Sequence, residues 1–404
     1  MVELDSTRFA LREKLRRHAN LAGNTLPGVM ASPLTPTFGA NVSGNPASTY
    51  NSVRQIATGV RTAADTSGAP ILISGGALVT ASGGVGVSVR NSWTGASFRA
   101  DLLTADFLFM AGADGKFELH IPSNGQAVDL LVDGVYAWAR GSKTATTGGN
   151  SHTMLVDLGA ARDYPYTIRV ETTGGSFYGV GARPENAILP VPTHDRLRIY
   201  TEGDSWAGPG TAATWAGMAW PTNLAHLLSP APIHEQFGIG GTGDIATNGN
   251  FNFGQRHPYD VFLRPAPDIY VRPASTNDGS ANAAALQAAV TADIVATRAV
   301  AGWSKVPIVI PGIQQYAGGG SYPTAQNAAV LAAVTALRAA GDTNVFFVDP
   351  STWITGTGKT TSLTADGIGD WFWNGSNNHP TNRGHAYWAS RLAQAIKTQV
   401  YPII

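Results

Sequence analysis

Residues 196–208 read "RLRIYTEGDSWAG", an apolar run that stops abruptly at Gly-Asp-Ser. Leu, Ile, Tyr and Thr in a short run bounded by a turn predict a strand. What comes after it decides the fold. A helical pattern follows around 216–228, then a strand in "PDIYVRPAS" (267–275) and an Ala-rich helix over 281–301. "VPIVIPGI" (306–313), a helix over 324–340, "NVFFVDP" (344–350) and a last helix over 383–398 complete the series. Strands alternating with helices predict an α/β domain over 191–404, a three-layer, doubly wound parallel sheet. In such sheets ligands bind beyond the carboxyl ends of the strands, so the residues directly after each strand are the ones to inspect.

The preceding stretch, 71–190, has a different rhythm. "DFLFMAGADGKFELHIP", "AVDLLVDGVYAWARG" and "YTIRVETTG" are β-rich runs with Gly- and Asp-rich turns and no helical pattern between them. That predicts a β-sandwich. Asp114-Gly115 is a hairpin signal and Asp133-Gly134 a second turn candidate. Residues 1–70 look like an attachment segment: a short basic helix through Arg17, a Pro/Gly/Asn/Ser/Thr-rich stretch to Ser48, and a helix over 50–64 carrying Val53, Ile56 and Val60. It is too thin to bury its own core, so it is expected to pack on something else, another copy or a partner.

Composition narrows the function classes. Across 404 residues the charged share is 13%, and Lys plus Arg equals Asp plus Glu at 27 each. A formally neutral chain argues against nucleic acid as a partner, because phosphate binding needs a basic surface. No cysteine is present, which excludes disulfides and thiolate metal sites without fixing a compartment. The first eighteen residues spread their charges and contain no apolar core of a signal peptide. No run reaches the length of a membrane span, so a soluble protein is expected.

The loops after the strands carry chemistry. Ser205 follows the first, and "FGIGGTGD" (237–244) lies beyond the next helix. Asn277 and Asp278 follow "DIYVRP", and His379 stands in the last loop. A serine hydroxyl becomes a nucleophile when a base within reach removes its proton, and histidine is the usual base. Glycine N–H groups and an Asn amide can hold the oxyanion that results. Together these are the parts of acyl transfer, which needs no cofactor and no metal.

The same residues resemble the SGNH hydrolases, the GDSL-type esterases of flavodoxin-like architecture, in their usual chain order. Gly203-Asp204-Ser205 matches the first block, and Gly238-Ile239-Gly240-Gly241 resembles the second. Asn277-Asp278 resembles the third, and His379-Pro380-Thr381 with Gly384-His385 the fifth. The resemblance implies Ser205 as nucleophile, His379 as base, and Gly241 and Asn277 as oxyanion donors. The β-rich region, through "LLVDGVYAW" and "LGAARDYPYTIRVET", resembles the jelly-roll domain that precedes the catalytic domain in carbohydrate esterase family two. One departure stands out. The family places Asp three residues before the histidine, and this chain has Ser376 there. A hydroxyl can hold the imidazole N–H but cannot stabilise imidazolium as a carboxylate does. Either a Ser-His dyad oriented by Ser376 or a carbonyl, or a displaced Asp366 or Asp370, would fill the role.

Each motif also has a plainer use. Ser205 could cap a helix, the glycines could permit a tight turn, and Asn277 could close an Asx-turn. Asp278 reads as a structural neighbour, and His385 as packing in the first turn of the last helix. His379 and His385 lack a carboxylate set for a metal. "GTGKTTS" (356–362) lacks the first glycine of a phosphate loop, since Trp353 stands there. Trp206 and Asp204 are candidate substrate contacts, and Trp215, Trp220, Trp371 and Trp373 either wall a sugar site or pack. The expected function is removal of O-acetyl groups from a polysaccharide. A glycan-directed enzyme without a signal peptide fits a phage tail component acting at a host surface, with residues 1–70 as virion anchor or self-association element. A secreted bacterial enzyme, a glycan-binding adhesin on a weakened esterase scaffold, a structural tail protein, and a lipase or thioesterase are the alternatives.

Overall fold

The structure is a computed structural model. It describes residues 6–23, 25–38, 60–61, 70–74, 77–80, 87–90, 102–112, 114–124, 127–144, 147–159, 161–172, 176–193, 195–207, 216–247, 249, 251–262, 264–313, 323–354 and 379–403. The chain divides into two compact units, one of Met1–Leu26, Trp93–Gly95 and Arg196–Ile404, the other of Pro27–Ser92 and Ala96–Asp195.

In the second unit, Leu103–Met110 pairs antiparallel with Ile71–Ser74 on one side and Tyr166–Thr172 on the other, and Val128–Val132 extends this sheet. A second sheet has Lys116–Asn124 between Thr147–Asp157 and Gly179–Ala182. The two sheets share one core: Phe107 and Phe109 of the first meet Phe117 of the second at ring-centroid distances of 5.7 and 5.0 Å. Alternation along each strand explains this, since every second side chain points into the sandwich. Asp133 and Gly134, at φ 52° and 82°, close a two-residue hairpin between Val128–Val132 and Val135–Tyr136, as a type I′ turn requires.

Two expectations need correction here. Asp114-Gly115 does not make a hairpin: the strands on either side of it belong to different sheets. A Cβ on Gly115 would come within 3.0 Å of the Gly159 backbone, so the glycine serves a close chain crossing. Of the helix expected over 50–64, residues 50–59 and 62–64 lie outside the described residues, while Val60–Arg61 form a short strand beside Ile71–Leu72.

The first unit has a five-stranded sheet. Its strands are β1 (Arg198–Gly203), β2 (Ile233–Gly238), β3 (Ile269–Val271), β4 (Ile308–Pro311) and β5 (Val345–Val348). All pairs are parallel, and the spatial order is 2-1-3-4-5, the flavodoxin-like doubly wound order. The sequence pattern missed β2. Its "IHEQFG" carries three polar residues, yet all six positions are buried.

Helix α1 (Ser6–Ala22), α2 (Trp220–Leu228) and the C-terminal helix Asn382–Ala395 share a core with one sheet face, through Leu15, Leu224, Trp388 and Leu392. On the other face pack Ala283–Ala299 and Thr324–Ala339, through Leu286, Val290, Ile294, Val330 and Val334. The C-terminal helix starts where Thr381 Oγ1 accepts the Gly384 N–H at 3.0 Å, a capping bond. The 1–70 segment read from composition is therefore split. Leu15 is fully buried in the α/β core, Lys14 pairs with Asp268 at 2.7 Å, and His18 bonds Ser229 at 2.9 Å. The chain itself is the partner of this helix. None of the described helices is long and apolar enough to cross a membrane.

A buried charge cluster lies at the carboxyl ends of β1 and β3. Glu202, the penultimate residue of β1, accepts from Arg256 at 2.9 Å, His257 at 2.6 Å and the Tyr270 hydroxyl. His257 also pairs with Asp293 at 3.0 Å, and Arg272 pairs with Asp293 at 2.9 Å and with Asp244. Burial pushes His257 down, but Asp293 and Glu202 more than offset this and raise it to about 10. Its stabilisation is thus fully present below the unfolded value of 6.5 and lost as pH rises through 10. His257→Gln removes one cation from between Glu202 and Asp293, which keep Arg256 and Arg272, and breaking a buried pair costs about 3–5 kcal/mol. Denaturant unfolding at neutral pH should show that loss, and the gap from wild type should close above pH 10.

Candidate active site

The carboxyl edge of the sheet gathers the motif loops. Ser205 follows β1 directly and is half-buried. The turn that presents it is tight: a Cβ on Gly203 would sit 2.7 Å from the Ala207 Cβ. Asp204 shapes this turn by accepting the Trp206 N–H on Oδ1 at 2.8 Å. The loop after β2 crosses beside the serine, since a Cβ on Gly240 would lie 3.5 Å from the Ser205 Cβ. Gly241 follows at φ 77°, a left-handed conformation that favours glycine.

Asp204 also reaches the loop after β3. Its Oδ2 accepts the Ser275 hydroxyl at 2.7 Å, the Thr276 N–H at 2.9 Å and the Thr276 hydroxyl at 2.8 Å. Asn277 lies in the 3-10 turn Thr276–Asp278. Its Nδ2 donates to Thr242 O at 3.0 Å, with longer contacts of 3.2 Å to Ser275 Oγ and 3.5 Å to Asp204 Oδ2. Nδ2 thus has three acceptors around it within these loops. The substrate contact expected of Asp204 gives way to a different role: its carboxylate is 4% exposed and committed to these two loops.

His379 is half-buried just ahead of the C-terminal helix. Burial lowers its pKa below 6.5, and the Asp204 charge opposes that shift. Burial thus favours the neutral ring, the form that can accept a proton. His385 is 1% exposed and pushed down to about 3, by burial first and by His379 second. Its Nδ1 accepts the Trp220 N–H at 3.2 Å, which puts the ring proton on Nε2. Buried and held neutral, it packs as the sequence implied.

Ser376, Asp366 and Asp370, the candidates for orienting His379, lie outside the described residues, as do Trp215, Trp371 and Trp373. Trp206 is only 7% exposed and sits edge-on to Trp388 at 6.4 Å. A ring so covered packs rather than stacks on sugar, and Trp220 is buried likewise. With Asp204, Ala207 and Ser275, the rings of Trp206, Trp220 and Trp388 line a small cavity of about 20 Å³. Sequence reasoning missed the polar support of the site: Ser275, Thr276 and the cluster around Glu202. Glu202 and Arg272, charged residues at the ends of otherwise apolar strands, were the available signal.

No protein-family model matches the sequence, and no curated protein does. Solved structures do. The chain is similar to a family two carbohydrate esterase from Clostridium thermocellum in complex with cellohexaose, at 18% identity and TM-score 0.56, covering 82% of this chain and 99% of that one. It is also similar to a salicylyl-acyltransferase from a tetracycline biosynthetic pathway, at 13% identity and TM-score 0.57, covering 83% and 97%. An acetyl xylan esterase from the rumen bacterium Butyrivibrio proteoclasticus aligns at 14% identity and TM-score 0.53, again over 83% and 97%. At these identities the likeness is one of fold. It is the fold the motif blocks resemble, and it houses esterases and an acyltransferase alike.

With His379 as base, the acid limb of kcat/KM for a small ester should fall below pH 6.5. Asp204→Asn removes the charge that raises His379, so the limb should move to still lower pH while the rate drops. A pH–rate profile of both proteins checks the sign. An unmoved limb would mean that another group sets it.

Proposed function

We propose that the protein is a serine ester hydrolase that removes O-acetyl groups from a polysaccharide. One observation carries the reading: Asp204 hydrogen-bonds the loops bearing Ser205 and Asn277 together at the sheet's carboxyl edge. Ser205 Oγ attacks the acetyl carbonyl as His379 takes its proton. The oxyanion is held by the Ser205 N–H, the Gly241 N–H and the Asn277 amide. His379 then protonates the departing sugar oxygen, leaving an acetyl-enzyme. Water, deprotonated by the same histidine, attacks that ester and releases acetate. The chemistry calls for neither cofactor nor metal.

The solved carbohydrate esterases share this fold, and one of them was captured with cellohexaose, which favours a glycan substrate over a lipid. In this reading the β-sandwich unit is jelly-roll-like and helps to bind glycan. The protein acts as a phage tail component at a host surface, with the part of residues 1–70 beyond the first helix contributing virion attachment or self-association. A secreted bacterial enzyme is the other setting. A second functional reading, a glycan-binding protein with little or no catalysis, is favoured by one feature: Ser376 where the resembled family has Asp.

Acetate release from a small acetyl ester and from acetylated polysaccharides separates the two. Wild type should release acetate, and Ser205→Ala should lower the rate by at least about 10³-fold, as loss of a serine nucleophile does. Glycan binding without release from any substrate would favour the binding protein.

A further inference from the structure

Gly241 and Asn277 come from different strands, so something must fix one against the other. The loop after β2 is held to the 275–278 turn at two points. Thr242 O accepts from Asn277 Nδ2 at 3.0 Å and lies 2.7 Å from Ser275 Oγ, whose single proton it shares with Asp204 Oδ2. Immediately beyond, three consecutive backbone N–H groups converge on one carboxylate, that of Asp278. Asp244 N lies at 2.6 Å, Ala246 N at 2.8 Å and Ile245 N at 3.3 Å.

Asp278 is 1% exposed. The fit is close: a Cβ on Gly243 would fall 2.7 Å from the Asp278 Cγ. Hydrogen bonds from N–H groups to a charged acceptor are shorter and about twice as strong as neutral ones. A carboxylate suits this place because it only accepts, and the three N–H groups aimed at it donate.

Resting on the ester-hydrolase reading above, we propose that Asp278 is a positioning residue, which clamps the 242–246 loop and thereby sets the Gly241 N–H against the Asn277 amide as a paired oxyanion hole. Asp278 touches no substrate and acts through its neighbours. A loosened clamp leaves substrate binding largely intact and weakens stabilisation of the tetrahedral oxyanion, so kcat suffers before KM. A misplacement of 1 Å can cost about 10²-fold in rate.

The test is steady-state kinetics on a small acetyl ester, with thermal melts alongside. Asp278→Asn puts an N–H donor among N–H donors at nearly constant volume. It should lower kcat by about 10- to 100-fold with KM within about threefold of wild type. Gly243→Ala, which pushes the loop off the carboxylate from the opposite side, should reproduce that split and decides the matter where Asp278→Asn fails to fold. Wild-type kcat in a folded Asp278→Asn, or in Gly243→Ala, with only a lower melting temperature would overturn the clamp. A wild-type protein that turns over no ester would instead overturn the esterase reading, and the clamp with it, so the two failures are told apart by the wild-type arm.

Discussion

The candidate site depends on where Asp204 spends its carboxylate. One oxygen closes the turn that presents Ser205, and the other takes the N–H and hydroxyl of Thr276 and the hydroxyl of Ser275. A parallel sheet brings strand ends to one edge but leaves the loops beyond them free to diverge. A buried acceptor with several donors around it removes that freedom, because leaving any donor unpaired there costs about 1–3 kcal/mol. Asp278 repeats the device one loop further on. Two short carboxylates thus hold the loops after three strands in register.

Beneath them lies the cluster of Glu202, Arg256, His257, Arg272 and Asp293, buried at the same strand ends. Such clusters are seldom the cheapest way to fill a core, since each ion gives up its water. Breaking one is costly all the same, because the partners cannot recover solvent. The placement is the informative feature: Glu202 is three residues before Ser205, and Asp244, which Arg272 holds, lies in the loop clamped by Asp278. Charge pairing thus reaches from the motif loops to the Ala283–Ala299 helix through Asp293, beside the apolar packing of the helix layers.

The regular parts of this fold were legible because they obey a period. Strands β1, β3, β4 and β5 and the long helices stand where apolar spacing puts them, and the motif residues follow strands as the doubly wound class demands. Strand β2 escaped because His234, Glu235 and Gln236 interrupt the apolar spacing, whereas Thr201 bonds His234 at 3.0 Å inside the sheet. Asp114-Gly115 had the composition of a hairpin, yet turn residues fix only the local bend. Whether the next strand returns to the same sheet depends on which faces bury together. In the same way the motifs name Ser205, Gly241, Asn277 and His379 as candidates one by one. Asp204 and Asp278 stand among the motif residues, but the hydrogen bonds by which they tie the loops were not legible, because contacts between residues some seventy positions apart leave no periodic trace (Asp204 to Thr276, for example).

The central claim is that Ser205 is an activated nucleophile. Its most direct test is to treat the folded protein with a fluorophosphonate and map the adduct by peptide mass spectrometry. The account predicts a single adduct, on Ser205, whose formation slows sharply in His379→Ala. An unlabelled Ser205 in folded protein, or labelling indifferent to His379, would contradict it.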